Sequence, residues 1–316
     1  MTVRTGVWFF PDASSGTIVE TIEAAEAAGL DEIWLGDEGP GRDPFALLAA
    51  GARNTRRIKL GVGVTNPYLR HAATIASAAL TIHELSNGRM VLGLGPGGDL
   101  ALGPVHVQRT RPLEATREAV RIIRAVSTGQ PTEGYTPTRY AVTGPDLPIF
   151  IGARGERFNR FASEAADGVF LGGIPKSRLQ PTVNWAHSVR KIAVSAYPAA
   201  LFDETRLEAI RPRMIYALLD APEVTSCALG VDRKDARAAA QALAQGDPEP
   251  ARRLIDDQRL DELVIHGSPQ RVGEALANRL GPLQPTSIGV ALLSDDPLST
   301  IAPAAEALAI AARKLR

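Results

Sequence analysis

Lys59-Leu60-Gly61-Val62-Gly63-Val64-Thr65-Asn66-Pro67-Tyr68, a helical stretch from about Ala72 to Leu85, then Arg89-Met90-Val91-Leu92-Gly93-Leu94-Gly95-Pro96-Gly97-Gly98: the reading of this segment decides the fold. Two apolar runs of strand length each end in a glycine-bearing loop, and a single helix joins them. With the two strands parallel and adjacent, both loops open on the same edge of the sheet, where ligands bind in α/β folds. Glycine at a strand end leaves main chain bare, which suits a flat polar ligand lying against it.

The same alternation of strand and helix runs through the chain. Upstream, Thr5–Phe10 reads as a strand, followed by a helix near Thr17, where Thr17 and Glu20 form a capping box and Gly29 is the stop. Glu32–Leu35 is the second strand, and Asp43-Pro44 supplies an N-cap with proline in the first helical position. Downstream, a helix over about Glu114–Ser127 stops at Gly129, and strands follow at Ile149–Ile151, Gly168–Leu171, Met214–Leu219 and Ser287–Leu293. Helices are expected from about Glu156 and Gln180, from Ser268-Pro269, and in the alanine-rich C-terminal stretch. Eight βα units predict an α/β fold of the (β/α)8 TIM-barrel type. Residues 130–147, rich in Pro, Gly and Thr, and the long stretch between Leu219 and Ser287 read as insertions at the C-terminal face of the strands. No linker divides the chain, so residues 1–316 are expected to form one domain.

Composition limits the function. The 316 residues are 45% hydrophobic, and 35 Lys and Arg balance 35 Asp and Glu. That balance gives no sign of a nucleic-acid or membrane partner. Cys227 is the only cysteine, so neither an intrachain disulfide nor a thiolate cluster is available. His71, His83, His106, His187 and His266 are scattered without ligand spacing, and no metal is expected. The absence of a secretory pattern or a spanning apolar run points to a cytoplasmic protein.

Gly93-x-Gly95-x-x-Gly98 after a strand matches the dinucleotide fingerprint. The fingerprint needs a helix opening on the glycines, whereas Asp99–Pro104 reads as a loop, and the unit is the fourth rather than the first. A second reading makes these glycines barrel-top turns without a ligand. The third comes from resemblance. Gly63–His71 with Leu85–Gly95 is similar to the bacterial luciferase-like superfamily, in particular its coenzyme F420-dependent methylenetetrahydromethanopterin reductase-like branch. Further similarity lies in Ala27–Trp34, Arg42–Phe45, Ile149–Gly155, Ala166–Val169 and His266–Pro269, in the same order over nearly the whole chain.

The resemblance implies a barrel that holds a deazaflavin or flavin at the C-terminal ends of its strands. A bulge ending the third strand would carry a non-proline cis peptide behind the ring, at Gly63–Val64. Thr65 and Asn66 would hydrogen-bond the ring's carbonyl and imide groups; Asn66-Pro67 also reads simply as a turn. Gly95, Gly97, Gly98 and Asp99 would approach the polar edge of the ring. Gly152-Ala153-Arg154, Gly172-Gly173 and Lys176 would take the side-chain tail and phosphate, although Lys176 equally suits a surface role. Asp37 ends the second strand. Many relatives carry Ser-Asp-His there; this chain has Gly36-Asp37-Glu38, which puts Glu38 in the position of a proton-shuttling histidine. The reductases also carry a glutamate near the end of the first strand, where this chain has Trp8. That change argues against the methylene-pterin reaction, and leaves Trp8 as a substrate-pocket wall or a core residue.

The function implied is F420-dependent hydride transfer to or from a small organic substrate, with Asp37 or Glu38 handling the proton and Trp8 in the active site. An FMN-dependent luciferase-like monooxygenase and a non-catalytic cofactor-binding paralogue are the alternatives. A homodimer is implied by the family.

Overall fold

The structure, a computed structural model, describes residues 3–315. Along the chain run β1 (Arg4–Phe9), α1 (Ser15–Ala27), β2 (Glu32–Leu35), α2 (Pro44–Asn54), β3 (Lys59–Thr65), α3 (Ala72–Leu85), β4 (Met90–Leu94), α4 (Asp99–Leu102), α5 (Pro112–Thr128), β5 (Ile149–Gly152), α6 (Glu156–Ala165), β6 (Gly168–Gly172), α7 (Leu179–Ala186), β7 (Ala193–Tyr197) and β8 (Ala199–Leu201). Then come α8 (Leu207–Ile210), α9 (Ile215–Leu219), α10 (Glu223–Ala228), α11 (Arg233–Ala244), α12 (Glu249–Leu254), α13 (Asp257–Leu263), β9 (Val264–His266), α14 (Pro269–Leu280), β10 (Ser287–Leu292) and α15 (Pro297–Lys314).

Strands β1 to β7 pair in order and in parallel, and β10 closes the ring by pairing with both β7 and β1. β7 and β8 are one stave of the barrel interrupted at Pro198, which has no N–H to offer. Their register against β10 is unbroken, Ser287 facing Ser195 and Ala291 facing Ala199. Counting β7 and β8 as one stave, with β9 as an addition outside the ring, eight parallel strands form the barrel that the sequence predicts. β6 accompanies this stave as far as Tyr197, and beyond it β9 pairs with β8 instead, so an inserted strand fills the upper rim.

Two expectations fail here. Met214–Leu219 is not the seventh strand but a helical turn leading into α9. A six-residue apolar run does not by itself separate strand from buried helix. Ile215, Leu218 and Leu219 are buried while Tyr216 and Ala217 are half-buried, the spacing of a helix face. Nor is Asp99–Pro104 simply a loop, because α4 makes one turn directly after Gly98. A smaller shift affects α1. It starts at Ser15, with the Ser14 hydroxyl accepting from the Thr17 N–H at 3.2 Å, so the cap is Ser14 and not Thr17.

Glycines space the interior of the barrel. Trp34, Phe150, Phe170 and Tyr197 pack together inside, with the Phe170 and Tyr197 rings stacked at 5.0 Å. A Cβ at Gly61 would lie 2.3 Å from Trp34, one at Gly168 2.4 Å from Phe150, and one at Gly289 2.0 Å from the Tyr197 ring. Trp34, Phe150 and Tyr197 therefore each lie over a glycine of a neighbouring strand. Below them, the buried carboxylate of Glu32 accepts hydrogen bonds from Trp34 Nε1 (3.1 Å), Tyr197 Oη (3.1 Å), Ser287 Oγ (3.0 Å) and Arg4 Nε. This network satisfies a charge that would otherwise be costly in the floor of the barrel.

The segment from α8 to α13 has an apolar cluster of its own, including Ile210, Met214, Ile215, Leu218, Val231, Ile255 and Leu260, packed on Ala199, Leu201, Val264 and Ala291. It forms a cap over the C-terminal ends of the strands. No helix among the described residues is long and apolar enough to cross a membrane.

Candidate active site

The end of β3 is the centre of the site. Against β4, Val62 faces Leu92 and Thr65 faces Leu94, so three steps of β3 match two of β4 and the strand bulges. The Gly63–Val64 peptide within the bulge is cis, as the resemblance implied. The indole N–H of Trp8 donates to the Gly63 carbonyl oxygen, and the Trp8 ring meets Phe10 edge-on with centroids 4.5 Å apart. Trp8 thus braces the bulge, a role nearer to the core-residue reading than to that of a reacting group.

Val64 alters the meaning of the glycines. A Cβ at Gly93 would lie 2.9 Å from a Val64 methyl, one at Gly95 2.7 Å and one at Gly152 2.9 Å. The strand ends expected to be bare main chain are instead occupied by this side chain, so Gly95 and Gly152 are spacers first. The same packing excludes the dinucleotide reading, because Val64 stands where a pyrophosphate would need to approach. Gly97 adopts φ +67°, which favours glycine, and a Cβ there would press on Asn66 and Leu102 at 3.2–3.3 Å.

Thr65 and Asn66 are fully buried at the tip of β3. Asn66 Oδ1 accepts from the N–H groups of Tyr68 and Leu69, each at 3.1 Å, which is the turn the sequence offered as its simpler reading. Its Nδ2 has no hydrogen-bond partner, and neither has Thr65 Oγ1. Two adjacent residues therefore present an amide donor and a hydroxyl with nothing to bind, a rare condition for buried polar atoms.

Asp37 and Glu38 follow β2 beside this pair. Asp43 caps α2, accepting from Phe45 N at 2.8 Å, and also pairs with Arg70 at 2.8 Å. Arg70 in turn reaches Asp37 at 4.0 Å. Burial raises the pKa of Asp37. The nearby Thr65 hydroxyl, although outside hydrogen-bond geometry, and Arg70 oppose the rise, while Asp43 adds to it. Glu38 is exposed to solvent but surrounded by protein at the barrel mouth. That crowding, with the charges of Asp37 and Asp220 and against Arg154, lifts its pKa to about 7. Water at the exposed Glu38 carboxylate weakens this push, and a ligand covering it would strengthen it.

The remaining expected residues divide. Arg154 donates from Nη1 to Ala217 O of the cap at 2.7 Å, and Gly173 (φ +62°) lies beside that guanidinium. Gly172 ends β6 next to it. Ala153 turns its methyl into the main core, which leaves only its backbone for a ligand. Asp99 is exposed in the first position of α4. Lys176 is exposed and pairs with Asp261 at 3.1 Å, so the surface reading describes it, and the structure does not bring it to the others. Sequence reasoning missed Asp220 and Arg109, which pair at 2.9 Å at the mouth. Both lie in segments without a readable motif. Among the described residues, no group of three or more His, Cys, Asp and Glu is placed to hold a metal ion.

A parallel eight-stranded barrel with a bulged third strand and unpartnered polar groups at its tip defines a TIM-barrel protein with a polar site at the C-terminal ends of its strands. The chain belongs to the luciferase-like monooxygenase family, whose sequence model matches residues 4–281. It is 30% identical over 296 residues to the 5,10-methylenetetrahydromethanopterin reductase of Archaeoglobus fulgidus, covering 87% of this chain and 89% of the relative. The coenzyme F420-dependent tetrahydromethanopterin reductase of Methanopyrus kandleri superposes with a TM-score of 0.80 at 25% identity, over 96% of this chain and 98% of that one. An F420-dependent secondary alcohol dehydrogenase shares the fold at a TM-score of 0.75 and 14% identity, with complete coverage of both chains.

Proposed function

We propose that this chain is an F420-dependent oxidoreductase that moves a hydride between the deazaflavin and a small organic substrate. The observation that carries the proposal is the pair of buried, unpartnered polar atoms, Thr65 Oγ1 and Asn66 Nδ2, at the tip of the bulged strand. Their chemistry fits a ring edge of carbonyl and imide groups. The F420-dependent relatives support the choice of cofactor. Val64, Gly95, Gly97, Gly98 and Asp99 would lie along the ring, with Gly152, Arg154 and Gly173 toward the tail. When bound, the deazaflavin supplies a hydride acceptor or donor at its central ring carbon.

Glu38 supports the proton side of the reaction. With a pKa of about 7 its carboxylate takes the proton of a substrate hydroxyl as the carbonyl forms, and returns it in the reverse direction. Asp37, deeper and held near Arg70, is one of the two like charges that raise the pKa of Glu38. The second reading, an FMN-dependent monooxygenase, draws on the description of the family itself. We also propose a single barrel domain acting in the cytoplasm as a homodimer, the state usual in the family; sedimentation of the purified protein checks the dimer.

Thr65→Val tests the ring contact. It removes a hydroxyl that has no partner in hydrogen-bond geometry and only an electrostatic influence on the neighbouring Asp37, so the cofactor-free protein should lose little melting temperature. F420 affinity should nonetheless fall about 5–10-fold, the worth of one neutral hydrogen bond. Asn66→Asp retains Oδ1 for the turn but removes the free donor, and should weaken F420 at least as much. Unchanged affinity in both variants, measured by fluorescence titration, would remove these residues from the cofactor site.

A further inference from the structure

The cap is joined to the strand-end loops by specific polar contacts. Asp220, just after α9, accepts from the Asp99 N–H through Oδ2 at 2.8 Å and from Arg109 Nη2 through Oδ1 at 2.9 Å. Arg109 uses its other terminal nitrogen to bind Gly97 O at 2.6 Å. The carbonyl before Gly98 and the amide after it are thus both held, by two side chains that hold each other. A Cβ at Gly98 would lie 2.6 Å from Asp220 Oδ2, so glycine is needed there to admit the carboxylate. A Cβ at Gly155 would press on Pro222 at 3.2 Å, and Arg154 binds Ala217 O, so the loop after β5 meets the same short piece of cap. The Asp220 side chain is only 10% exposed, and removing its partners would leave a largely buried charge.

We propose that Asp220 is a positioning residue that, through Arg109, fixes the Gly97–Asp99 loop against the cap in the shape the cofactor site requires. The ligand's identity as F420 rests on the functional reading above; the clamp itself does not. A second consequence concerns Glu38. The charged groups facing it are Asp37 from the end of β2, Arg154 from the end of β5 and Asp220 from the cap. Of the two like charges, Asp220 is the one that the cap contributes, so the cap also influences when Glu38 ionises.

Three measurements on the full-length protein test this. Hydrogen exchange of the cofactor-free protein should show lost amide protection over residues 97–102 in Asp220→Ala. F420 affinity in the same variant should fall about tenfold or more, the worth of a charge-assisted hydrogen bond. In Asp220→Asn, which keeps an acceptor for Asp99 but loses the charge, the midpoint of the pH–rate profile should move to lower pH; Asp220→Glu should restore it. Unchanged exchange over 97–102 overturns the clamp whether or not F420 proves to be the ligand. Failure of the wild-type protein to bind F420 overturns the cofactor reading, and exchange then decides the clamp alone. Unchanged affinity with freed amides reduces Asp220 to a fold contact and overturns its positioning role, and an unmoved midpoint overturns its influence on Glu38. If Asp220→Ala does not fold, Arg109→Lys serves the same comparison, since a lysine ammonium cannot bridge Asp220 and Gly97 in the same fork.

Discussion

Glu38→Gln is expected to lower turnover by about 10²–10⁴-fold, the range for loss of a positioned acid or base, and to leave F420 affinity unchanged. The sign of the pH dependence follows from its pKa of about 7. In the direction that oxidises the substrate, the carboxylate is the active form, so the wild-type rate rises with pH through about 7; in the reducing direction it falls. Glutamine has no such titration and should flatten both profiles. Stability should follow the same group. Glu38 holds its proton more tightly when folded, at about 7, than at its ordinary value of 4.5. Its favourable contribution is therefore complete below about 4.5 and is lost as pH rises through about 7. The melting temperature of Glu38→Gln relative to wild type should accordingly increase with pH across that window. A variant with wild-type turnover would leave Asp37 as the remaining carboxylate for the proton.

Gly289→Ala is expected to be among the most destabilising single-methyl changes in this chain. The new Cβ would lie 2.0–2.5 Å from three atoms of the Tyr197 ring. That ring cannot retreat easily, because it stacks on Phe170 and its hydroxyl binds Glu32. Overpacking a well-filled core costs about 1–3 kcal/mol and sometimes more; here the upper end applies, a fall in melting temperature of roughly 4–5 °C for a chain of 316 residues. Gly41→Ala, where a Cβ meets nothing within 4 Å, should change little. Calorimetry of the two variants side by side checks both statements. Equal melting temperatures would mean that the rings inside the barrel are not fixed by their glycines.

Much of this architecture can be read in the sequence, and the exceptions have physical causes. The βαβ unit of residues 59–98 is legible because the strand and helix signals agree: β3 spans Lys59–Thr65, α3 Ala72–Leu85 and β4 Met90–Leu94. The seventh stave was hidden because Ala193–Leu201 is built of small residues around Pro198, while the more apolar Met214–Leu219 fits a helix equally well. At the site, Thr65 and Asn66 came from the family resemblance, while the residues by themselves offered only a turn at Asn66-Pro67, which the structure also shows. The glycines misled. Gly93, Gly95 and Gly152 suggested open backbone, but a glycine makes room for a neighbouring side chain as readily as for a ligand, and here the neighbour is Val64. Asp220 could not be anticipated, since it reaches its partner Asp99 across 121 positions from a segment with no motif.

At the centre of this reading, the barrel mouth at Thr65 and Asn66 is a deazaflavin site. Parallel titration of the purified protein with F420 and with FMN, followed by fluorescence, tests it most directly. The expected result is saturable F420 binding that Thr65→Val and Asn66→Asp both weaken, with FMN bound more weakly or not at all. Tight FMN binding with no response to F420 would contradict it and make the chain a flavin enzyme on the same barrel.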